Sequence, residues 1–109
     1  MPVSEFIPIS KVDDPHKLDI ELKINGKSKQ KGNTKDMIFK IPTLLEYISH
    51  FMTLNEGDMI ITGTPAGVGP VNDGDLLEGS LVQNGNLVQD FSFKLEKLAM
   101  PEFKFTSKL

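Results

Sequence analysis

An Asn-Gly dipeptide that directly follows a segment of alternating apolar and charged residues constrains the fold of this chain more than any other feature. Residues 18–24 (LDIELKI) alternate apolar and charged side chains, which predicts a strand with one buried face. Asn25-Gly26 follows at once and is a strong signal for a two-residue hairpin turn. Residues 27–31 are therefore predicted to return as a polar strand, whose lysines and acids form a solvated face.

A second Asn-Gly pair predicts a second hairpin. Residues 72–75 (NDGD) are typical of a turn, and residues 76–82 have strand-like character. Asn84-Gly85 supplies the hairpin turn, and residues 87–95 alternate in their second half. The tail from about residue 98 is expected to be peripheral, although Phe103 and Phe105 could pair with a sheet edge.

One helix is predicted, near residues 43–53. Thr43 and Glu46 fit a capping box, but Pro42 could instead be the first helical residue with Ile41 as the cap. The sequence leaves both starts open, and it leaves residues 34–39 as either a strand end or a turn. The apolar residues fall on one side of the helix at helical spacing: Leu44, Leu45, Ile48, Phe51 and Met52. The predicted fold class is mostly β (α+β), in a single domain over residues 1–109.

Residues 57–70 (GDMIITGTPAGVGP) are the part of the chain most typical of a binding site. Residues 59–62 have the length and branching of a strand buried on both faces. Gly63, Gly67 and Gly69 then allow positive φ angles and close approach of another backbone. The hydroxyls of Thr62 and Thr64 lie beside exposed amides, an arrangement suited to a small carboxylate. The candidate substrate-binding residues are Thr62, Gly63, Thr64 and Pro65.

Two familiar phosphate-binding motifs are excluded, and a bland interpretation of this stretch stays open. The Gly-x-Gly-x-x-Gly spacing of dinucleotide sites is missing, and no Lys-Ser or Lys-Thr pair closes a Walker A loop. Glycine-proline clusters are also common simply as turns between strands.

Composition narrows the possible partners. The net charge is −3, and the lysines between Lys11 and Lys35 are interleaved with acids, which argues against a nucleic-acid surface. All 12 basic residues are lysine, so no guanidinium can clamp an anion. There is no cysteine, no secretory signal and no apolar run near the roughly 18 residues that span a bilayer. We expect no membrane partner and an intracellular location.

The residues by themselves indicate no catalytic or metal-binding group. His16 and His50 are far apart and are interpreted as surface or helix-end residues. Asp19 and Glu21 share a strand face that is better explained as the solvent face. The acids around Gly74 lack the further oxygen ligands of a calcium loop. No catalytic residue and no metal ligand is assigned.

The central stretch resembles the signature of the fumarylacetoacetate hydrolase family, and other segments agree in the same order. The matching segments, which cover about residue 2 to the mid-80s, are residues 14–18 (DPHKL), residues 24–26 with Gln30, Thr34, residues 36–39 (DMIF), Ile41-Pro42 and residues 57–70. The sequence is most similar to the acylpyruvase branch, the single-domain proteins of the fumarylacetoacetate hydrolase domain-containing type.

That resemblance implies a mixed β-roll, a homodimer and a bound Mg²⁺ or Mn²⁺. It also implies hydrolysis or decarboxylation of small 2-oxo acids such as acylpyruvates or oxaloacetate, with Thr64 contacting the substrate carboxylate. The family's compartment is mitochondrial or cytosolic. The family's metal ligands and its catalytic His-Glu pair match no position here, so the chain is expected to be the C-terminal half of the domain and inactive alone.

Two functions follow. The chain is either part of a metal-dependent C–C bond hydrolase that supplies the substrate loop, or a shortened non-catalytic paralogue that associates with a partner. A third, weaker alternative is an anion-binding β domain outside the family.

Overall fold

The structure is a computed structural model that describes residues 2–99. Its regular elements are β1 (Leu18–Ile24), β2 (Lys27–Asn33), α1 (Ile41–Ser49), β3 (Leu76–Gln83) and β4 (Asn86–Lys94). Short 3₁₀ turns occupy Ile9–Lys11 and Thr34–Asp36. The four strands form one antiparallel sheet in the order β2-β1-β3-β4. The predicted fold class, mostly β with one helix, is confirmed.

Both Asn-Gly turns form as predicted. Asn25 and Gly26 have φ angles of 51° and 78°, and Asn84 and Gly85 have φ angles of 50° and 77°. Two consecutive positive φ angles define the type I′ turn, whose twist matches that of the strands it joins. The side chain of Asn25 also accepts a hydrogen bond from the Leu76 amide at 2.9 Å, so the first turn is tied to the start of β3.

One face of the sheet is apolar and the other is polar. The strand register places these side chains on the apolar face: Leu18, Ile20, Leu22, Ile24, Leu77, Leu81, Phe91 and Phe93. Within residues 2–99, Leu18 is the only buried hydrophobic side chain, at 6% exposure. Phe91 lies across Gly79, where a Cβ atom would overlap its ring. The rest of this face is half-buried.

The strand predicted over residues 59–62 is wrong. These residues have no strand pairing, and Met59 and Ile61 are 67% and 79% exposed. A strand needs a neighbour to pair its N–H and C=O groups, and no described strand lies beside this segment. The continuous apolar pattern of residues 59–62 is typical of a buried segment, but residues 2–99 do not cover it.

The helix starts and ends earlier than the predicted range near residues 43–53, since it covers Ile41–Ser49. It begins at Ile41 with Lys40 as the N-cap residue, so Thr43 lies inside the helix and the capping box is wrong. The alternative start at Pro42 is off by one residue. The Lys40 side chain makes no capping bond; instead, Nε2 of His16 accepts a hydrogen bond from the Ile41 amide at 3.1 Å.

The predicted apolar stripe of α1 is only partly covered. Leu44 and Ile48 are half-buried, whereas Leu45, Phe51 and Met52 are exposed. The open question over residues 34–39 is resolved as a 3₁₀ turn followed by loop. No helix within residues 2–99 has the length and hydropathy to cross a membrane. The predicted pairing of Phe103 and Phe105 lies outside the described residues.

Candidate functional site

The Thr-Gly-Thr-Pro loop is seated on the apolar face of the sheet along β2. Pro65 packs against Gly32, where an added Cβ would come within 2.9 Å of the proline Cβ. Gly67, at φ 100°, approaches the Lys29 carbonyl so closely that a Cβ would overlap the oxygen. Both glycines are therefore required by close approach, of the Pro65 side chain to Gly32 and of the Lys29 backbone to Gly67, and β2 fixes the position of the loop.

Gln30 is the polar link between strand and loop. Its Nε2 donates to the hydroxyl of Thr64 at 2.8 Å and to the carbonyl of Pro65 at 2.8 Å. Gln30 lies opposite Leu22 in the register of β1 and β2, so its side chain emerges on the apolar face. Gln30 is half-buried and its bond to Pro65 is partly buried, which makes loss of that bond costly.

A groove of about 370 Å³ opens between the loop, the sheet face and the N-terminal segment. Thr64, Pro65 and Gln30 form one side, and Ser4 and Ile7 contribute from the N-terminal segment. Its apolar floor is made by Ile20, Leu22, Leu81 and Phe91. Apolar walls with a few placed polar groups are the usual composition of a small-molecule site.

The structure separates the four predicted site residues into two pairs. Thr64 and Pro65 line the groove, whereas Thr62 and Gly63 precede it and do not. Gly63 and Gly67 have positive φ angles of 92° and 100°, as their predicted role in a tight loop requires. Gly69 does not share this feature. The assignment of these residues to substrate binding stays a prediction.

The two histidines have structural partners. His16 bonds the start of α1 as described, and Nδ1 of His50 lies 2.7 Å from the Glu46 carbonyl at the other end. The backbone N–H of His16 donates to the Asp14 carboxylate and, together with the Lys17 charge, holds the pKa of Asp14 below its ordinary value. These contacts account for both imidazoles at the two ends of the helix.

The carboxylates likewise serve turns and strands. Asp75 accepts from the Asn72 amide and from the Asn25 side chain, and these bonds lower its pKa in that order. Asp19 accepts from the Asn33 side chain across β1 and β2. Within residues 2–99, no group of three His, Asp or Glu side chains is placed to hold a metal ion.

The sequence does not predict the contacts of Gln30 and His16. Gln30 matches a family pattern, but nothing in a glutamine within a lysine-rich strand indicates a partner 34 residues away. The Asp-Pro-His turn does contain a weak signal, since a helix with no capping side chain of its own needs an acceptor from elsewhere.

Comparison with known proteins agrees with the fold. The family model described as "Fumarylacetoacetate (FAA) hydrolase C-terminal" matches residues 1–92. The chain belongs to the fumarylacetoacetate hydrolase family. The predicted resemblance is confirmed over most of the chain.

Curated members of the family are close in sequence but much longer. The chain is 47% identical over 102 residues to the human protein named oxaloacetate tautomerase FAHD1, mitochondrial, covering 94% of this chain and 43% of the human one. The Arabidopsis thaliana protein of the same name is 45% identical over 100 residues, again covering 43% of its length. The chain thus spans less than half the length of the relatives it matches.

Solved structures of the family show the same fold. Maleylpyruvate hydrolase from Sphingobium sp. SYK-6, in complex with manganese(II) and pyruvate, matches with a TM-score of 0.74 and 40% identity, over 80% of this chain and 31% of that one. The yeast family protein ynq8 matches with a TM-score of 0.76 and 33% identity, over 85% of this chain and 37% of that one. A divalent metal and a 2-oxo acid therefore occur together in one family member.

Proposed function

We propose that this chain supplies the carboxylate-binding loop of an enzyme that cleaves C–C bonds in small 2-oxo acids, by hydrolysis or decarboxylation. The observation that carries the proposal is the Thr64 hydroxyl, held by Gln30 at the edge of an apolar groove. A structural relative binds pyruvate, and sequence relatives are named for oxaloacetate, so a 2-oxo acid is the ligand class with most support.

The groove accounts for both ends of such a ligand. A small acid would place its carboxylate at Thr64 and the loop backbone, and its carbon chain over Leu22, Leu81 and Phe91. Burial of the ligand's carbon chain there would favour acids with an apolar substituent. The gain in binding free energy is about 25 cal/mol per Å² of apolar surface removed from water.

The residues described here do not fit the divalent metal that the family relationship implies. No set of three suitable side chains is assembled between residues 2 and 99. An Mg²⁺ or Mn²⁺ ion would therefore need ligands from outside this range. The role proposed for this chain is to bind and orient the acid.

A second candidate is an interaction module that binds a partner without catalysis. The half-exposed apolar face of the sheet favours it, since such faces are normally covered. The partner would be a second copy of the chain or a polypeptide that supplies the other half of the family domain. A mitochondrial location is proposed from the names of the relatives.

Pyruvate titration of the full chain, followed by the backbone amide NMR signals, tests the loop directly. We expect saturable shifts at Thr64, because the carboxylate accepts a hydrogen bond there. Thr64→Val keeps the shape but removes the hydroxyl, and should weaken binding about tenfold. Pyruvamide, which lacks the charge, is the matched ligand control.

The outcomes separate the two candidate functions. Shifts confined to the loop with pyruvate, and none with pyruvamide, would support the carboxylate site. Equal shifts with both ligands, or an unchanged affinity in Thr64→Val, would overturn it and leave the interaction module. The intact mass of the native protein, against 12.1 kDa for this chain, then tells whether an upstream half accompanies the loop.

A further inference from the structure

We propose that Gln30 is a positioning residue that fixes the Thr64 hydroxyl as a hydrogen-bond donor towards the substrate carboxylate. The proposal rests on the function proposed above and adds a residue to the same site. The basis is the set of hydrogen-bond donors and acceptors around the Gln30 side-chain amide.

The orientation of the Gln30 amide is fixed by Pro65. A backbone carbonyl only accepts hydrogen bonds, so the group 2.8 Å from the Pro65 oxygen has to be the NH₂ of Gln30. An NH₂ group carries two protons and no acceptor. Its second proton points to the Thr64 oxygen, also at 2.8 Å.

The polarity of the Thr64 hydroxyl follows from that orientation. A hydroxyl has one proton, and here its oxygen is already accepting from Gln30. Among the hydrogen bonds of the described residues, the Thr64 hydroxyl donates to no protein acceptor, and Thr64 lines the groove. Its proton is therefore available to a ligand that accepts, which selects a carboxylate oxygen over an N–H donor.

Strand β2 restricts the position of the Gln30 side chain. Gln30 pairs with Leu22 across β1 and β2, next to a register shift between Leu22 and Lys23. Gln30 is half-buried beneath the loop, so few side-chain rotamers keep both bonds. A carboxylate at this position would only accept, and would draw the Thr64 proton away from the groove.

Three substitutions at Gln30 in the full chain test the proposal by pyruvate titration. Gln30→Leu removes both bonds and should weaken binding about tenfold. Gln30→Glu should weaken it at least as much at neutral pH, because ionised Glu accepts from Thr64. Just below a pH of about 4 the protonated Glu side chain regains one O–H donor where the amide has two, so binding should recover only in part. Pyruvic acid is stronger than a glutamate side chain, so its carboxylate is still ionised at that pH. Gln30→Asn is too short for both contacts and should resemble Gln30→Leu.

The matched control is Gln83→Leu. Gln83 also braces a segment through a side-chain bond, accepting from the Asp13 amide at 2.8 Å, but it does not line the groove. This variant loses a comparable structural contact and should keep wild-type pyruvate affinity at every pH.

A ligand-free measurement keeps the two proposals distinguishable. Three-bond NMR couplings at Thr64 should report a single χ1 rotamer in the wild type. In Gln30→Leu they should report an average over several χ1 rotamers. If the wild type binds no pyruvate but shows this change, the positioning role stands and the proposed function falls. Unchanged couplings or an unchanged pyruvate affinity in Gln30→Leu would overturn the positioning role.

Discussion

At the scale of single residues, the site depends on two glycines without a Cβ atom as much as on two polar side chains. Gly67 and Gly32 bring the loop onto β2 because neither has a Cβ atom to collide with its neighbour. Thr64 and Gln30 then meet at hydrogen-bond distance. The hydroxyl is thus placed by backbone contacts first and by one side-chain bond second.

Gly67→Ala should detach the loop from β2. The change adds a Cβ that overlaps the Lys29 carbonyl, on top of the strain of a residue at φ 100°. We expect a loss of about 1–3 kcal/mol of stability together with most of the pyruvate affinity. Denaturant unfolding and the NMR titration measure the two effects.

Gly57→Ala is the control for Gly67→Ala. Gly57 has a similar φ of 91°, but nothing lies within 4 Å of its would-be Cβ. Gly57→Ala should lose only the stability that backbone strain costs, and its pyruvate affinity should be retained. Equal effects of the two variants would contradict the proposed seating of the loop.

At the scale of elements, the hairpins are held locally and the helix is held from a distance. Both I′ turns contain the residues that tolerate their φ angles. By contrast, α1 begins without a capping side chain from Lys40, and His16, 25 residues earlier, supplies the acceptor. The helix is therefore fastened to the turn that precedes β1.

His16→Ala should loosen the first turn of α1. It leaves the Ile41 amide without its acceptor, which typically costs about 1 kcal/mol at a helix start. Faster amide hydrogen exchange at the start of α1 and a lower unfolding midpoint would be the readouts.

His16→Gln is the conservative partner of that variant. Its side-chain oxygen can occupy the place of Nε2 and should restore much of the protection. Identical exchange rates in the wild type and His16→Ala would show that the bond does not stabilise the helix.

At the scale of the whole molecule, the sheet has an apolar face that residues 2–99 cover only in part. Only Leu18 is buried among the hydrophobic residues of the described chain. Exposed large apolar side chains such as Phe6, Ile38 and Phe51, at 91%, 90% and 74%, extend the same feature beyond the sheet. Relatives of more than twice this length carry the family fold.

The purified 109-residue chain should give no metal-dependent cleavage of acetylpyruvate or maleylpyruvate. The reason is that residues 2–99 assemble no three-ligand group for Mg²⁺ or Mn²⁺. Loss of substrate absorbance with and without added metal is the assay. The Sphingobium maleylpyruvate hydrolase is the positive control for maleylpyruvate. Saturable, metal-dependent turnover by the chain would refute this expectation.

Elements whose sequence signals are local can be predicted before the structure is known. Strand alternation and Asn-Gly turns placed both hairpins, because a turn is decided by the φ angles of two adjacent residues. The resemblance of residues 57–70 to the family signature likewise identified the loop. The helix was placed within a few residues, but its start was missed because the capping acceptor is not a neighbour in sequence.

Contacts between residues that are distant in sequence depend on the folded arrangement. The partners of Gln30 lie 34 and 35 residues away, and that geometry exists only once β1 and β2 have formed. Residues 59–62 carry a strand pattern but no strand, because a strand is a property of two paired segments and this one has no described neighbour. Turns are decided by neighbouring residues, whereas pairing and loop seating are decided by whatever the fold brings alongside.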